Sequence, residues 1–241
     1  MALKSEVLAQ LQKDVFSLQG FKPVCTSAMK DIGLGCINLS FHKAVFPLAA
    51  VHEFFCTNAE EGAASSAFIA GILSSFICKD SKLIWISSSR AIFPPALKSF
   101  GMDPDQIFFV DLKKEKEVLW AVEEALKCNS LSAVISEMSE ISFTASRRFQ
   151  LVIEKTGVPC FVLRRNPRNL TTACVTRWHL KSLPCSTAEN FPGVGFPRWQ
   201  VELLKVRNGK PGVWDLEWAE GCFRHLSKIV VINKELQKKF G

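Results

Sequence analysis

Several features that would identify a protein class are missing from this chain of 241 residues. Its nine cysteines form no C-x-x-C pair and their number is odd, which argues against a disulfide framework and against zinc fingers. No apolar run reaches the roughly 20 residues that a membrane-spanning helix needs, so we expect no membrane association. There is no G-x-S-x-G motif, and the four histidines have no obvious nucleophile beside them. The sequence therefore does not indicate an enzyme.

The N-terminus and the cysteine environment give further negative results. The first 20 residues, MALKSEVLAQLQKDVFSLQG, have no continuous apolar region and no small-residue cleavage site, so they do not resemble a secretory signal. Most cysteines have apolar neighbours, which favours buried, reduced thiols. A zinc site at Cys222 and His225 would lack a second pair of ligands. The chain has 19 phenylalanines and no tyrosine, but this composition does not point to any particular activity. We expect a cytoplasmic protein without a bound metal or cofactor.

The composition describes an ordinary globular core with a basic surface. A hydrophobic content of 48% predicts one substantial core, and the length suits a single α/β domain. The net charge of +7 and a pI near 9.0 are compatible with nucleic-acid contact. Solvated lysines on an intracellular domain explain the same charge equally well, so both interpretations stay open.

The first 20 residues are predicted to form an amphipathic helix that ends at Gly20. This helix either packs on the chain's own core or docks on a partner, and the sequence does not choose between these roles. Residues 21–241 are predicted to form a single domain, irregular up to residue 47. We call the apolar face of the helix the N-terminal stripe; its members are Leu3, Val7, Leu11, Val15 and Leu18.

From Ala50 onward, apolar runs of strand length alternate with helical patterns. The run at 51–56 and the segments KLIWISS, QIFFVDL, LSAVISE and VPCFVLRR read as strands, with helices at 63–77 and in PPALKSFG, EKEVLWAVEEALKC and TASRRFQLVIEKTG. This order predicts βαβ crossovers and a mainly parallel sheet flanked by helices. After Pro167, alternating residues predict antiparallel strands over about 172–219, with a hairpin turn at 208–212 and a surface tail at 222–241. Four tryptophans on these strands are expected in the core: Trp178, Trp199, Trp214 and Trp218.

The order of elements and several segments carry a resemblance to a known family. FPLAAVHEFF, with Glu53 in an acidic position, resembles the strand that enters the nucleotide loop of RecA, and FPPALKSFGMDPDQIFF resembles the segment after the next strand. LWAVEEALKC, TASRRFQL and PRWQVELLKVRNGKPGVWDLEW are similar to stretches typical of ImuA proteins. The resemblance covers residues 32–219 and implies a RecA-like core.

The segment AAVHEFFCTNAEEGAASSAFIAGILSSF has the strand–loop–helix outline of a phosphate-binding P-loop, which normally reads G-x-x-x-x-G-K-S/T. Here Cys56 stands in place of the first glycine and Gly62 comes one residue late. Ala63 and Ala64 replace the lysine that reaches the phosphates and the hydroxyl that binds magnesium. The sequence therefore predicts a degenerate loop.

Neighbouring positions agree with this prediction. Glu60 and Glu61 would repel a triphosphate, and the hydroxyls of Ser65 and Ser66 are explained by helix capping or packing. The resemblance places the water-orienting glutamate of RecA-type enzymes at Ser89. Nucleotide binding is therefore not expected.

The resemblance also places Glu137 in the Walker B carboxylate position and the glutamine sensor near Arg164. Glu137 is either a weak magnesium ligand or an acid that is solvated at a strand end or caps a helix. With the lysine, hydroxyl and catalytic carboxylate missing, we predict a pseudo-ATPase.

DNA contact is a further implication of the resemblance. RecA holds single strands with two loops, and their counterparts here are short, at 138–143 and 166–171. Arg164, Arg165 and Arg168 form a basic cluster beside the second loop. These arginines either make weak, sequence-independent and salt-sensitive contact with single-stranded DNA or form a solvated charge run.

The resemblance implies a non-catalytic accessory protein of SOS-induced translesion synthesis. Its implied partners are ImuB and a DnaE-type error-prone polymerase, with RecA as a further partner. Two alternatives stay open: a cell-division inhibitor of the SulA type that binds FtsZ, and a RecA-like protein that still binds nucleotide. SulA proteins are shorter and lack a full C-terminal hairpin extension.

Overall fold

The computed structural model describes residues 32–168, 171–185 and 195–226. The predicted N-terminal helix and its stripe lie outside these residues, as does the predicted tail beyond residue 226. Short 3-10 helices occupy Gly35–Ser40, His42–Ala44, Pro94–Phe100 and Pro104–Gln106. The α-helices of the described part are α1 (Ala59–Phe76), α2 (Glu115–Leu126) and α3 (Phe143–Thr156). Its strands are β1 (Val51–Cys56), β2 (Lys82–Ser87), β3 (Ile107–Asp111), β4 (Leu131–Met138), β5 (Cys160–Arg165), β6 (Thr176–Leu183), β7 (Arg198–Val206), β8 (Gly212–Ala219) and β9 (Cys222–His225).

The strands form one sheet in the order β3-β2-β4-β5-β1-β6-β7-β8-β9. The first six strands in this order run parallel, and β7, β8 and β9 continue the sheet with antiparallel pairing. The predicted α/β fold with a C-terminal antiparallel extension is therefore confirmed. β6 belongs to both parts, because it pairs parallel with β1 on one side and antiparallel with β7 on the other.

The helices begin and end at residues whose local chemistry favours a boundary. The Ser142 hydroxyl accepts a hydrogen bond from the Ala145 amide at 3.1 Å and caps the start of α3. Gly157, with φ of 78°, ends α3 in the left-handed conformation that glycine adopts without strain. Gly101 has the same φ and ends the 3-10 helix Pro94–Phe100, as the sequence predicts for the end of PPALKSFG.

The core has two layers because successive side chains of each strand point to opposite faces of the sheet. On one face, α1 packs over the strands with the aromatic residues of the extension, including Trp178, Trp199 and Trp218. On the other face, α2 and α3 pack against a smaller apolar cluster that contains Val51, Val162 and Cys174.

The structure supports the expected core role for three of the four tryptophans. Trp178 is completely buried, Trp199 and Trp218 are almost so, and Trp214 is half-buried against the same cluster. Within the described residues, no helix combines the length and apolar character needed to span a bilayer. Within the same residues, no group of three or more His, Cys, Asp or Glu side chains is arranged to hold a metal ion.

Candidate functional site

The junction between β1 and α1 is too short to form a phosphate-binding loop. β1 ends at Cys56 and α1 begins at Ala59, so two residues separate the strand from the helix. The sequence predicts a helix from about residue 63, but the structure begins it four residues earlier. Gly62 and Ala63 therefore lie within the first turns of α1, and the Gly62 amide donates to the Asn58 carbonyl at 3.2 Å. No loop remains here to surround a phosphate.

Asn58 and Glu61 explain the early start of α1. The Asn58 side chain accepts a hydrogen bond from the Glu61 amide at 2.8 Å, which is the usual N-cap contact. The Glu61 carboxylate reaches back and accepts from the Thr57 amide at 2.7 Å and from the Thr57 hydroxyl at 2.8 Å. This arrangement is a variant of the capping box, with the carboxylate bonded to the residue before the cap.

The Glu61 carboxylate occupies the electrostatic position that a phosphate would take at a helix N-terminus. It is buried, and its Oε1 lies 3.1 Å from Nε2 of His179 on β6. Burial alone would raise the pKa of Glu61, but the hydrogen bonds from Thr57 and the contact with His179 together lower it. The carboxylate is thus stabilised in its charged form, and an incoming phosphate would meet a negative charge.

The positions that replace the P-loop lysine and hydroxyl have different surroundings. Ala63 is exposed beside the cleft, whereas Ala64 is buried in the core with Ser65. The Ser66 hydroxyl donates to the Gly62 carbonyl at 2.9 Å within the helix. The Ser66 hydroxyl is therefore bonded within its own helix, and the N-capping interpretation does not apply, because Asn58 is the N-cap residue.

A cleft of about 370 Å³ lies at the carboxyl ends of the parallel strands, next to the start of α1. It brings together Cys56, Gly62, Ala63 and Glu137, whereas Ala64 and Ser89 are not among its lining residues. Most of its wall is apolar, contributed by Ala59, Ala63, Ala67, Ala91, Ile92, Phe93, Ala96, Leu97, Phe100 and Leu163. Such a wall suits an apolar group better than a triphosphate.

Glu137 has a structural role that the sequence did not predict. It is 3% exposed, and its Oε1 accepts from Nε1 of Trp85 at 2.8 Å. Its Oε2 accepts from the Ala91 amide at 3.3 Å and forms an ion pair with Arg165. The expectation of a solvated or helix-capping acid is wrong, because both oxygens bind buried or adjacent donors. The same contacts leave Glu137 poorly placed to bind magnesium.

The three arginines of the predicted basic cluster do not lie together. Arg164 is completely buried, pairs with the buried Glu53, and donates to Glu140 at 2.7 Å. Arg165 points to the opposite face of the sheet, where it binds Glu137 and donates to the Ser89 carbonyl at 3.3 Å. The predicted DNA contact by Arg164 is wrong, since its guanidinium is inaccessible to a phosphate.

Arg168 is exposed, and its backbone amide donates to Glu140 at 2.6 Å. Glu140 therefore links the two short loops that the resemblance compares with the DNA-binding loops of RecA. Whether Arg165 and Arg168 contact DNA stays a prediction.

Sequence reasoning missed an ionic network centred on Glu53, on the face of the sheet that α3 covers. Besides Arg164, the Glu53 carboxylate accepts from Nε of Arg177 at 2.9 Å and from the Thr172 hydroxyl at 2.8 Å. A charged residue inside the apolar strand AAVHEFF was the available signal, because a buried acid requires a partner. The partners are more than 100 residues away in the chain, so the sequence could not identify them.

No protein-family model matches the chain. The chain is 30% identical over 216 residues to "Protein ImuA" from Caulobacter vibrioides strain NA1000 / CB15N. It is equally similar to the protein of that name from C. vibrioides strain ATCC 19089. Each similarity covers 81% of this chain and 88% of the relative. With this identity over most of both sequences, the chain belongs to the ImuA family.

Proposed function

We propose that this protein is a non-catalytic, RecA-like accessory of damage-induced translesion synthesis. The observation that supports this proposal most strongly is the β1–α1 junction. There, the Glu61 carboxylate lies at the N-terminus of α1, where the phosphate of a nucleotide would have to bind. The engagement of both Glu137 oxygens supports the same proposal, because a Walker B carboxylate must be free to act through magnesium. The protein acts by binding other proteins rather than by hydrolysing ATP.

The proposed partners follow from family membership and from the resemblance to RecA-type subunits. They are ImuB, a DnaE-type polymerase and RecA itself. RecA-type subunits assemble through an N-terminal element that packs on the next subunit, and the N-terminal stripe that the sequence predicts would supply an apolar face for such docking. Because the nucleotide-dependent half of that contact is missing, partner binding is independent of ATP.

Co-purification with ImuB and electron microscopy of RecA filaments test this proposal. We expect ImuB to co-purify without ATP and substoichiometric protein to shorten RecA filaments. The combined change Val7→Asp and Leu11→Asp places charge in the N-terminal stripe, whereas Ser5→Asp with Gln12→Asp adds the same charge outside it. The first pair should weaken both associations and the second pair should not.

Three results would redirect the proposal. A folded stripe variant that binds both partners normally would show that the helix is not the docking element. Unfolding of that variant alone would assign the helix to the protein's own core. Wild-type protein that ignores ImuB and blocks FtsZ polymerisation would favour the cell-division inhibitor instead.

Weak contact with single-stranded DNA is a subsidiary part of the proposal. Arg168 is exposed, Arg165 is partly exposed, and both lie at the carboxyl ends of the parallel strands. Arg165 already pairs with Glu137, so its net attraction for a phosphate is reduced. Binding through so few cations should be sequence-independent and strongly salt-dependent.

A further inference from the structure

A cysteine and a histidine from distant parts of the chain meet on the surface away from the cleft. Cys36 lies in the 3-10 helix Gly35–Ser40, and His225 is the last residue of β9. The Cys36 Sγ lies 3.3 Å from Nδ1 of His225, and both residues are exposed. Among the cysteines of the described residues, Cys36 alone has its sulfur in contact with a histidine ring. The pair therefore differs from the other exposed thiols in its immediate chemistry.

A backbone carbonyl orients the histidine. The Nε2 atom of His225 lies 2.9 Å from the Leu34 carbonyl oxygen. A carbonyl can only accept a hydrogen bond, so Nε2 carries the ring proton and Nδ1 of the neutral ring is left as an acceptor. The Cys36 thiol donates to that acceptor. Nucleophile, base and orienting group are thus arranged in the order that activates cysteines in proteins.

The backbone next to Cys36 provides space for this arrangement. Gly35 has a φ of +54°, and a Cβ atom at this position would lie 2.6 Å from Nε2 of His225. Any larger residue would therefore be strained and would displace the imidazole. The glycine allows the histidine to approach both the Leu34 carbonyl and the Cys36 sulfur.

We propose that Cys36 is a site of reversible oxidation by hydrogen peroxide, with His225 as its general base. The sulfur attacks one peroxide oxygen, an S–O bond forms and the O–O bond breaks. The thiol proton passes to Nδ1 of His225 and then to the departing hydroxide, which leaves as water. Sulfur is oxidised by two electrons to the sulfenic acid, and peroxide is reduced. The same general-base step accelerates alkylation of Cys36 by iodoacetamide.

Alkylation of the reduced, full-length protein tests the activation, with other cysteines as internal controls. Peptide mass spectrometry would follow the labelling of Cys36 together with the exposed Cys78 and Cys128 in one sample at pH 7. We expect Cys36 to react at least about tenfold faster than either control. Equal rates for the three cysteines would overturn the proposal.

His225→Gln isolates the role of the base, because glutamine can still donate to the Leu34 carbonyl but cannot take up the thiol proton. We expect the Cys36 rate to fall to that of the controls while Cys78 and Cys128 are unchanged. Burial raises the pKa of Cys160, and it raises that of Cys174 to about 12, so both should stay unlabelled in folded protein. An unchanged Cys36 rate in folded His225→Gln would refute the role of His225.

Gly35→Ala provides a second variant in case His225→Gln exposes Cys160 and Cys174. It displaces the ring without removing it, and we expect the same loss of Cys36 reactivity. Peroxide treatment followed by dimedone, which traps sulfenic acids, tests the oxidation itself. In the wild type, dimedone should label Cys36 more than Cys78 and Cys128. In His225→Gln and in Gly35→Ala, this preference for Cys36 should disappear. Absence of the dimedone adduct at Cys36 would contradict the proposed modification.

Discussion

Replacing Arg164 with methionine should destabilise the protein severely without changing the way it contacts DNA. Arg164 and Glu53 are both completely buried and ion-paired, and Glu140 also pairs with Arg164. Methionine fills much of the same space but leaves the Glu53 charge with Arg177 and Thr172 as its partners among the described residues. Removing one partner of a buried ion pair typically costs about 3–5 kcal/mol, because the other charge stays buried. We expect a loss near the lower end of that range, since Arg177 compensates part of the charge.

Urea unfolding would measure this loss from the shift in midpoint at constant slope. Arg90→Met is the matched control, because Arg90 forms two hydrogen bonds with Asp111 but at the surface. An exposed pair contributes less than about 1 kcal/mol, so the two arginines should differ clearly. A double-mutant cycle with Glu53→Gln should give a coupling energy above about 1 kcal/mol.

The burial argument would fail if Arg164→Met cost less than about 1 kcal/mol, the size expected for an exposed pair. It would also fail if the folded variant changed the salt dependence of DNA binding, because a buried guanidinium cannot release counterions from a phosphate. Either result would indicate that Arg164 is exposed and belongs to the basic cluster that the sequence predicts.

Three other predictions concern the nucleotide, the exposed arginines and pH. Millimolar Mg-ATP should not raise the melting temperature, although a micromolar Kd would add about 4 kcal/mol of stability; such a rise would contradict the pseudo-ATPase proposal. Changing Arg165 and Arg168 together to alanine should lower the salt slope of single-stranded DNA binding by about one to two, and an unchanged slope would assign both to a solvated surface. Burial lowers the pKa of His52 to about 3, against 6.5 in the unfolded chain. Between these values only the unfolded state takes up the proton. The free energy of unfolding should therefore decrease as the pH is lowered below 6.5, by up to about 1.4 kcal/mol per pH unit. His52→Phe should flatten that dependence in urea titrations at several pH values, and a wild-type curve without this loss would contradict the assignment.

The alternation of strands and helices could be predicted because it rests on local patterns. Buried parallel strands such as β4 and β5 are short apolar runs, and the glycines at 101 and 157 end helical patterns by backbone conformation. The pairing of β6 could not be predicted, because alternation shows which residues face the core but not the direction of the neighbouring strand. β6 alternates like an antiparallel strand, yet it lies parallel to β1.

The details of the site were predicted less well, and the reasons are physical. Counting along a P-loop motif placed the start of α1 near Ala63, whereas Asn58 followed by Glu61 three residues later is itself a capping signal that competes with the motif. The burial of Arg164 opposes the general preference of arginine for the surface. Its position depends on Glu53, which lies 111 residues earlier in the chain, and no local pattern contains that information.

The hydrogen bonds that Glu61 and Glu137 accept would oppose ATP binding, as the proposed non-catalytic role requires. A ligand shifts a conformational equilibrium only as far as it binds one state better than the other. To bind a triphosphate at the β1–α1 junction, Glu61 would have to release the Thr57 amide and hydroxyl. To free Glu137 for magnesium, Trp85 and Ala91 would each lose a hydrogen bond. Hydrogen bonds to a charged group contribute about 1.5–3 kcal/mol each, and the indole nitrogen of Trp85 would in addition be left as a buried, unpaired donor. These hydrogen bonds support the proposed ATP-independent binding of partners, because ATP could bind at this junction only after they were broken.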